Sequence, residues 1–369
     1  MKLAIPHSPF ITHALLLTVI AFSTLNFQPS TCFAQGSLTP PGAPAPTMKT
    51  LDQIEPRTPI SSAPFTITQS GSYYLTANLT VSGGDAISIA ANGVTLDLNG
   101  FTIASIAASA TGTAIQLTGS RMNIIILNGI ISSGVTNNAG VYNGPGFANG
   151  IDYSSTHPFN VRVVGVSISG CLNYGIYLNS GNSTVVESCT VQTVGGYGIY
   201  ASAVSHSTAN ACGYYAIFAD TASDCYGYSV GSGIGLYATT ANNCYGYSSS
   251  YYGLSAITAN NCYGYSAGSG YGLSVTTANN CYGYSSSSGG GLYADVAIGC
   301  YGESGSGGGL TATTANNCYG HSVGSGYGLS AHIAIGCFAY SGSGTGLFAD
   351  IANSCDGSSE SIIYKYNMP

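Results

Sequence analysis

The chain has 369 residues, of which 5% are charged and 45% hydrophobic, with a formal net charge of −7. An average globular chain is roughly a quarter charged, so polarity here comes from Ser, Thr, Asn, Gly and Tyr, with 52 Gly, 29 Tyr and no Trp. Between Arg162 and Lys365 there is no Lys or Arg, which excludes a nucleic-acid ligand, because neutralising phosphates drives that binding.

Residues 1–34 read as a secretory signal. Lys2 supplies the positive start, 14–22 the apolar stretch, and Cys32-Phe33-Ala34 the small-residue cleavage site. That stretch is too short for a spanning helix, and no later segment is long and apolar enough for one, so the expectation is an exported, extracellular protein without a membrane span. Residues 35–50 form a linker that is Pro-rich over 35–47 (QGSLTPPGAPAPT). An N-terminal cap is expected over 51–85. It begins with a helical turn at 50–54, where Thr50 is N-cap and Gln53 stands three residues on, and continues with strands at 65–67, 73–75 and 79–81.

From residue 86 the strands become periodic. The segment 94–103 (VTLDLNGFTI) is an alternating strand, an Asn-Gly bend and a second strand, and 126–131 (ILNGII) repeats it. Gly followed by Ile or Leu recurs at Gly175, Gly198, Gly235, Gly253, Gly272, Gly291, Gly309, Gly328 and Gly346, with Ala216 filling one gap. The first step is 23 residues and every later one is 18 or 19. Cys225, Cys244, Cys262, Cys281, Cys300, Cys318, Cys337 and Cys355 keep the same 18 or 19. Strands this short bury a face only by stacking. The expected fold is all-β: a right-handed parallel β-helix with 22–23-residue coils over 86–201, 18–19-residue coils over 202–355, and a tail over 356–369.

Alternation along a strand turns Leu236 and Ala238 inward and Tyr237 outward. Asn242-Asn243 takes the bend of Asn99-Gly100, Cys244 takes the interior place of Phe101, and Tyr245 and Tyr247 face solvent. Of 12 cysteines, all but Cys32 survive signal removal. Stacked coils hold equivalent Cα atoms about 4.8 Å apart with parallel Cβ vectors, which fits a disulfide badly. They are therefore expected as a buried thiol ladder of small hydrophobes. A file of single thiols also lacks the ligand set that zinc prefers.

Tyr245, Tyr263, Tyr282, Tyr301 and Tyr319 form one outward column, and Tyr247, Tyr265 and Tyr284 a second. Stacking between coils contributes roughly 0.2–1 kcal/mol per pair. Equally, a contiguous aromatic ribbon suits a glycan or protein partner.

The strand–Asn-Gly–strand units at 94–103 and 126–131, with the Gly-Ile strands at Ile176 and Ile199, resemble the right-handed parallel β-helix proteins of the pectate-lyase-like superfamily over roughly 86–355. The resemblance implies three short sheets. Lyases of the superfamily use several Asp ligands for Ca²⁺ and an Arg base, and its glycoside hydrolases use a cluster of Asp. Neither set is matched in this chain, so no catalytic residue carries over and no metal ligand is assigned.

The remaining enzyme candidates lie at the wide coils, where 104–113 and 132–150 are long insertions able to wall a cleft. Asp152, His157, Arg162 and Glu187 sit beside them and offer an acid/base pair. Arg162 with Asp152 reads equally as an ion pair. Glu303 with His321, and His332 with Asp350, read as charge pairs between coils. Thr240, Thr258, Thr277 and Thr314 make a Thr row of ice-binding type, interrupted by Val296 and Ile333.

Two functional expectations follow. One is a secreted, non-catalytic binding or structural protein that contacts polysaccharide, a cell-surface glycan or itself through its Tyr, Ser and Asn faces, with no cofactor. The other is a polysaccharide lyase or glycoside hydrolase at the wide coils. Calcium enters only in the lyase case.

Overall fold

The computed structural model describes residues 56–153 and 155–368. The chain divides into two units, Met1–Thr50 and Leu51–Pro369, and every described residue belongs to the second. The expected signal, linker and helical turn lie outside the described residues.

The described residues form strands and no helix, none therefore crossing a membrane as a helix. Strand pairing is parallel throughout, except in one hairpin of Thr136–Asn138 with Val141–Asn143. The result is a parallel β-solenoid. One short coil shows the plan. Strand Leu236–Asn242 bends at Thr239, so 236–238 lies on a first face and 240–242 on a second, and Tyr245–Ser248 makes the third. Each residue pairs with its equivalent one coil on: Leu236 with Leu254, Thr240 with Thr258, Tyr245 with Tyr263.

Steps along the first face are 22 residues from Phe65 to Ile87, 28 from Ile87 to Ile115, 36 from Ile115 to Ile151 and 25 from Ile151 to Ile176. The step is 23 to Ile199 and 18 to Ile217. Within 86–201 only the step to Ile199 keeps the expected 22–23 residues, the other step of that length, from Phe65, preceding the region. Between them, the insertions enter at the corner from third face to first, where added loop leaves strand register untouched. The longer insertion carries the hairpin, which leans over later coils: Tyr142 Oη donates to the Ala211 carbonyl at 2.7 Å.

The corner between second and third faces needs a left-handed residue. Asn99, Asn128, Asn243, Asn261, Asn280 and Asn317 have φ of 50 to 58°, and Gly299 and Gly336 of 61 and 60°. Asn and Gly tolerate this conformation most readily, and Ser188, His206, Asp224 and Ser354 adopt it at the same corner with φ of 49 to 54°. Asn243 alone makes the bend, while Asn242 stays within the strand. Its amide joins a ladder in which Asn260 Nδ2 donates to Asn242 Oδ1 at 2.8 Å and Asn279 Nδ2 to Asn260 Oδ1 at 2.9 Å.

Inward positions of a short coil are Leu236, Ala238, Ala241, Cys244, Gly246 and Ser248, all buried. A Cβ added at Gly246 would stand 2.2 Å from the Gly253 carbonyl oxygen, so the first and third faces nearly touch across a thin core. Most of the buried serines hold the solvent loops, as Ser248, Ser266, Ser304, Ser322 and Ser341 do, whereas the Ser229 and Ser285 hydroxyls have no partner. Ser248 Oγ donates to the Gly233 carbonyl of the preceding coil at 2.8 Å and accepts the Tyr251 N–H of its own loop at 2.9 Å.

All 11 described cysteines are free and buried, as the geometry of stacked coils predicts. Their role is more specific than filling space. The Cys244 N–H, just past the bend, donates to Cys262 Sγ at 3.5 Å, and the Cys262 N–H to Cys281 Sγ at 3.4 Å. Each thiol donates in turn to a carbonyl two residues back, Cys262 to Asn260 at 3.2 Å. Ser207 occupies the same station in its own coil and makes the same two bonds, accepting from the Cys189 N–H at 3.1 Å and donating to the Ser205 carbonyl at 2.7 Å. The station therefore requires a small donor-acceptor. Contact with the thiol of the preceding coil, with burial, pushes Cys262, Cys281 and Cys300 up to about 11, so they stand as neutral thiols at physiological pH. Cys262→Ser is expected to retain wild-type stability, whereas Cys262→Ala orphans the buried Cys244 N–H and costs about 1–2 kcal/mol. Urea unfolding followed by circular dichroism measures the difference.

Candidate functional site

The wide coils divide the four enzyme candidates into two groups. Asp152 lies on the first face in register with Gln116. Gln116 is buried and donates from Nε2 to the Asp152 carbonyl at 3.1 Å. The Asp152 carboxylate accepts the Tyr153 N–H at 2.7 Å. Burial pushes its pKa up to about 6; that N–H opposes the rise, and the nearby Asp85 carboxylate adds to it. His157 Nδ1 is 2.8 Å from Tyr153 Oη and 2.7 Å from Asn179 Nδ2. Arg162 and Glu187 belong to the second face and pair with one another. The cation that could have partnered Asp152 is thus bound to Glu187. Among the described residues no group of three His, Cys, Asp or Glu side chains is placed to hold a metal ion.

Aromatic packing begins at the same coils. Tyr177, Tyr200, Phe218 and Tyr237 follow one another outward on the first face, with ring centroids 5.1, 4.6 and 4.7 Å apart, and the ring of Tyr153, one residue past the register position held by Asp152, lies 5.8 Å from that of Tyr177. Tyr174, Tyr197 and Tyr215, at the adjoining corner, interleave with them, Tyr174 stacking on Tyr177 at 4.4 Å.

On the third face the expected ladder is present in register. Successive centroids from Tyr226 through Tyr245, Tyr263, Tyr282, Tyr301 and Tyr319 lie 5.1, 4.7, 4.8, 4.6 and 4.8 Å apart. The second column adds Tyr228, Tyr247, Tyr265 and Tyr284 at 4.4, 4.7 and 5.2 Å. Most first-column pairs are stacked, Tyr245 on Tyr263 at 18° and Tyr301 on Tyr319 at 3°. Ring faces are therefore covered by neighbouring rings, and edges and hydroxyls face solvent. Glu303 interrupts the second column, and its Oε2 accepts from both Tyr282 Oη and Tyr301 Oη at 2.9 Å. His321, one coil on, places Nδ1 3.7 Å from Glu303 Oε1. Burial, followed by the surrounding phenols, pushes Tyr245 up to about 12.

No family model matches the chain, and no curated protein matches it. Among solved structures, the catalytic domain of a GH87 α-1,3-glucanase in complex with nigerose is similar at 13% identity and a TM-score of 0.28, over 85% of this chain and 62% of that one. The chain thus spans less than two thirds of that structure.

Two pH effects follow. The Asp152 carboxyl has a folded pKa of about 6 against an ordinary 3.8, so the folded state binds the extra proton and stability falls as pH rises between those values. Asp152→Asn is expected to flatten that fall, read as melting temperature from pH 4 to 7. The phenols act at the other end. Tyr245 keeps its proton to about 12 where a free phenol loses it at 10.0, so stability declines as pH rises through that window. Phenolate absorbance of the folded chain should then titrate above the midpoint of the urea-unfolded chain.

Proposed function

We propose that the protein is an exported, non-catalytic binding solenoid that holds a neutral glycan of a matrix or cell surface along its outward phenol ribbon. The observation that carries this reading is the third-face ladder, whose first column runs in register from Tyr226 to Tyr319 with most of its rings stacked and whose neutral hydroxyls line the outer edge. Phenols held protonated to high pH are donors and acceptors under all physiological conditions. A polyhydroxylated chain lying across successive coils meets one such group about every 4.8 Å. The absence of Lys and Arg between Arg162 and Lys365 selects against polyanions. Bridging of an acidic glycan by Ca²⁺ would require clustered carboxylates, and among the described residues none are grouped in that way.

A second reading is a glycoside hydrolase at the wide coils, favoured by the raised pKa of Asp152 and its proximity to Asp85. A carboxyl still partly protonated near neutrality suits a general acid.

Retention of the full chain on insoluble neutral polysaccharides tests the first reading. The triple change Tyr245→Phe, Tyr263→Phe and Tyr265→Phe keeps the stacked rings and removes three hydroxyls. It is expected to reduce retention about tenfold while the melting temperature stays unchanged. Undiminished retention would reject the phenol ribbon. New reducing ends released from the same polysaccharides, and lost in Asp152→Asn, would instead establish the hydrolase.

A further inference from the structure

On the first face, away from the phenol ribbon, the outward column keeps a longer rhythm. Tyr237 is followed in register by Ser255, Ser274 and Tyr293, and Tyr293 by Thr311, Ser330 and Phe348. A ring thus recurs every third coil, with two small hydroxyl residues between. Three strand spacings separate Tyr293 from Phe348 by about 14 Å. The space between them is a cavity of about 220 Å³, with Thr311 and Ser330 as its floor.

The cavity differs from the ribbon in what it leaves free. Tyr293 and Phe348 are 40% and 38% exposed, and no ring stands between them, because the two intervening coils supply Thr and Ser. Each is braced from the corner instead, Tyr293 by Tyr271 at 5.5 Å and Phe348 by Tyr327 at 5.2 Å. Along the edge toward the second face, His332 Nδ1 lies 2.6 Å from Asp350 Oδ2. The carboxylate can only accept, so Nδ1–H donates and Nε2 remains to bond a ligand hydroxyl. Thr313 adds a hydroxyl on the same edge.

We infer that this trough is a binding subsite for a short neutral oligosaccharide, two to three pyranose rings lying along the solenoid axis. A pyranose has an apolar C–H face suited to an aromatic wall and equatorial hydroxyls suited to Thr, Ser, imidazole and carboxylate. The single carboxylate in the lining is already paired with His332, and no Lys or Arg lines the trough, so charged sugars gain nothing there. The ligand class rests on the proposed glycan reading, but the site is built by a different face from different residues.

The test is titration of the full chain with soluble cello-, laminari- and manno-oligosaccharides, by calorimetry and aromatic NMR shifts. Ser330→Phe fills the trough. It should fold, because this same column already carries rings in successive coils at Tyr200, Phe218 and Tyr237, 4.6 and 4.7 Å apart. At least one oligosaccharide series is expected to bind the wild type and to bind Ser330→Phe at least tenfold more weakly. Tyr293→Ser and His332→Ala should weaken binding as well. The Tyr245/Tyr263/Tyr265→Phe variant should bind the same oligosaccharide unchanged. Equal binding by Ser330→Phe, or no binding of any series to the wild type, would overturn the subsite. Polymer retention, read separately, would still decide the ribbon.

Discussion

The structure depends on one constraint: each residue lies directly over its equivalent in the next coil, about one strand spacing away. Stacking gives every backbone amide of a strand a partner, and it also multiplies the consequences of each side-chain choice. A left-handed Asn at one corner becomes a row of corners, and a phenol on one strand becomes a stack. Whatever stands at a position must be compatible with copies of itself above and below.

The same constraint accounts for the scarcity of charge. Two like charges 4.8 Å apart in water repel by about 1 kcal/mol, and a column of lysines would repeat that in every coil. Neutral polar groups stack with gain instead, as the Asn260-to-Asn242 amide ladder shows. Where ionisable groups do occur in the short coils, several carboxylates sit beside a histidine one coil away. His206 lies by Asp224, His321 by Glu303 and His332 by Asp350. The outer surface is therefore polar without being charged, which suits a neutral, hydroxyl-rich ligand.

The thiol file shows how far pattern reading reaches. Spacing alone placed the cysteines inside and ruled out their pairing. It did not show that the sulfurs of Cys262, Cys281, Cys300 and Cys355 each accept the N–H of the cysteine one coil before, because such an N–H loses its backbone partner only once the chain turns at the corner. Ser207, which makes the same bonds, was the available clue in the sequence. The buried serine column is equally present in the repeat, but Ser at a strand end reads as surface, because only the loop folding back beyond it makes the position interior.

Sequence by itself determined the repeat length, the inward and outward assignment of Leu236, Ala238, Cys244 and Tyr245, and the wide-coil insertions, all of which follow from periodicity along one chain. Tertiary structure alone decided what lies beside what across coils and around corners. It joined Arg162 to Glu187 and His157 to Asn179, covered the faces of the stacked phenols, and opened a trough between Tyr293 and Phe348. Those outcomes depend on ring orientation and on which residues the corners bring together. Such distances are set by the closed cross-section of each coil, and one-dimensional spacing does not encode them.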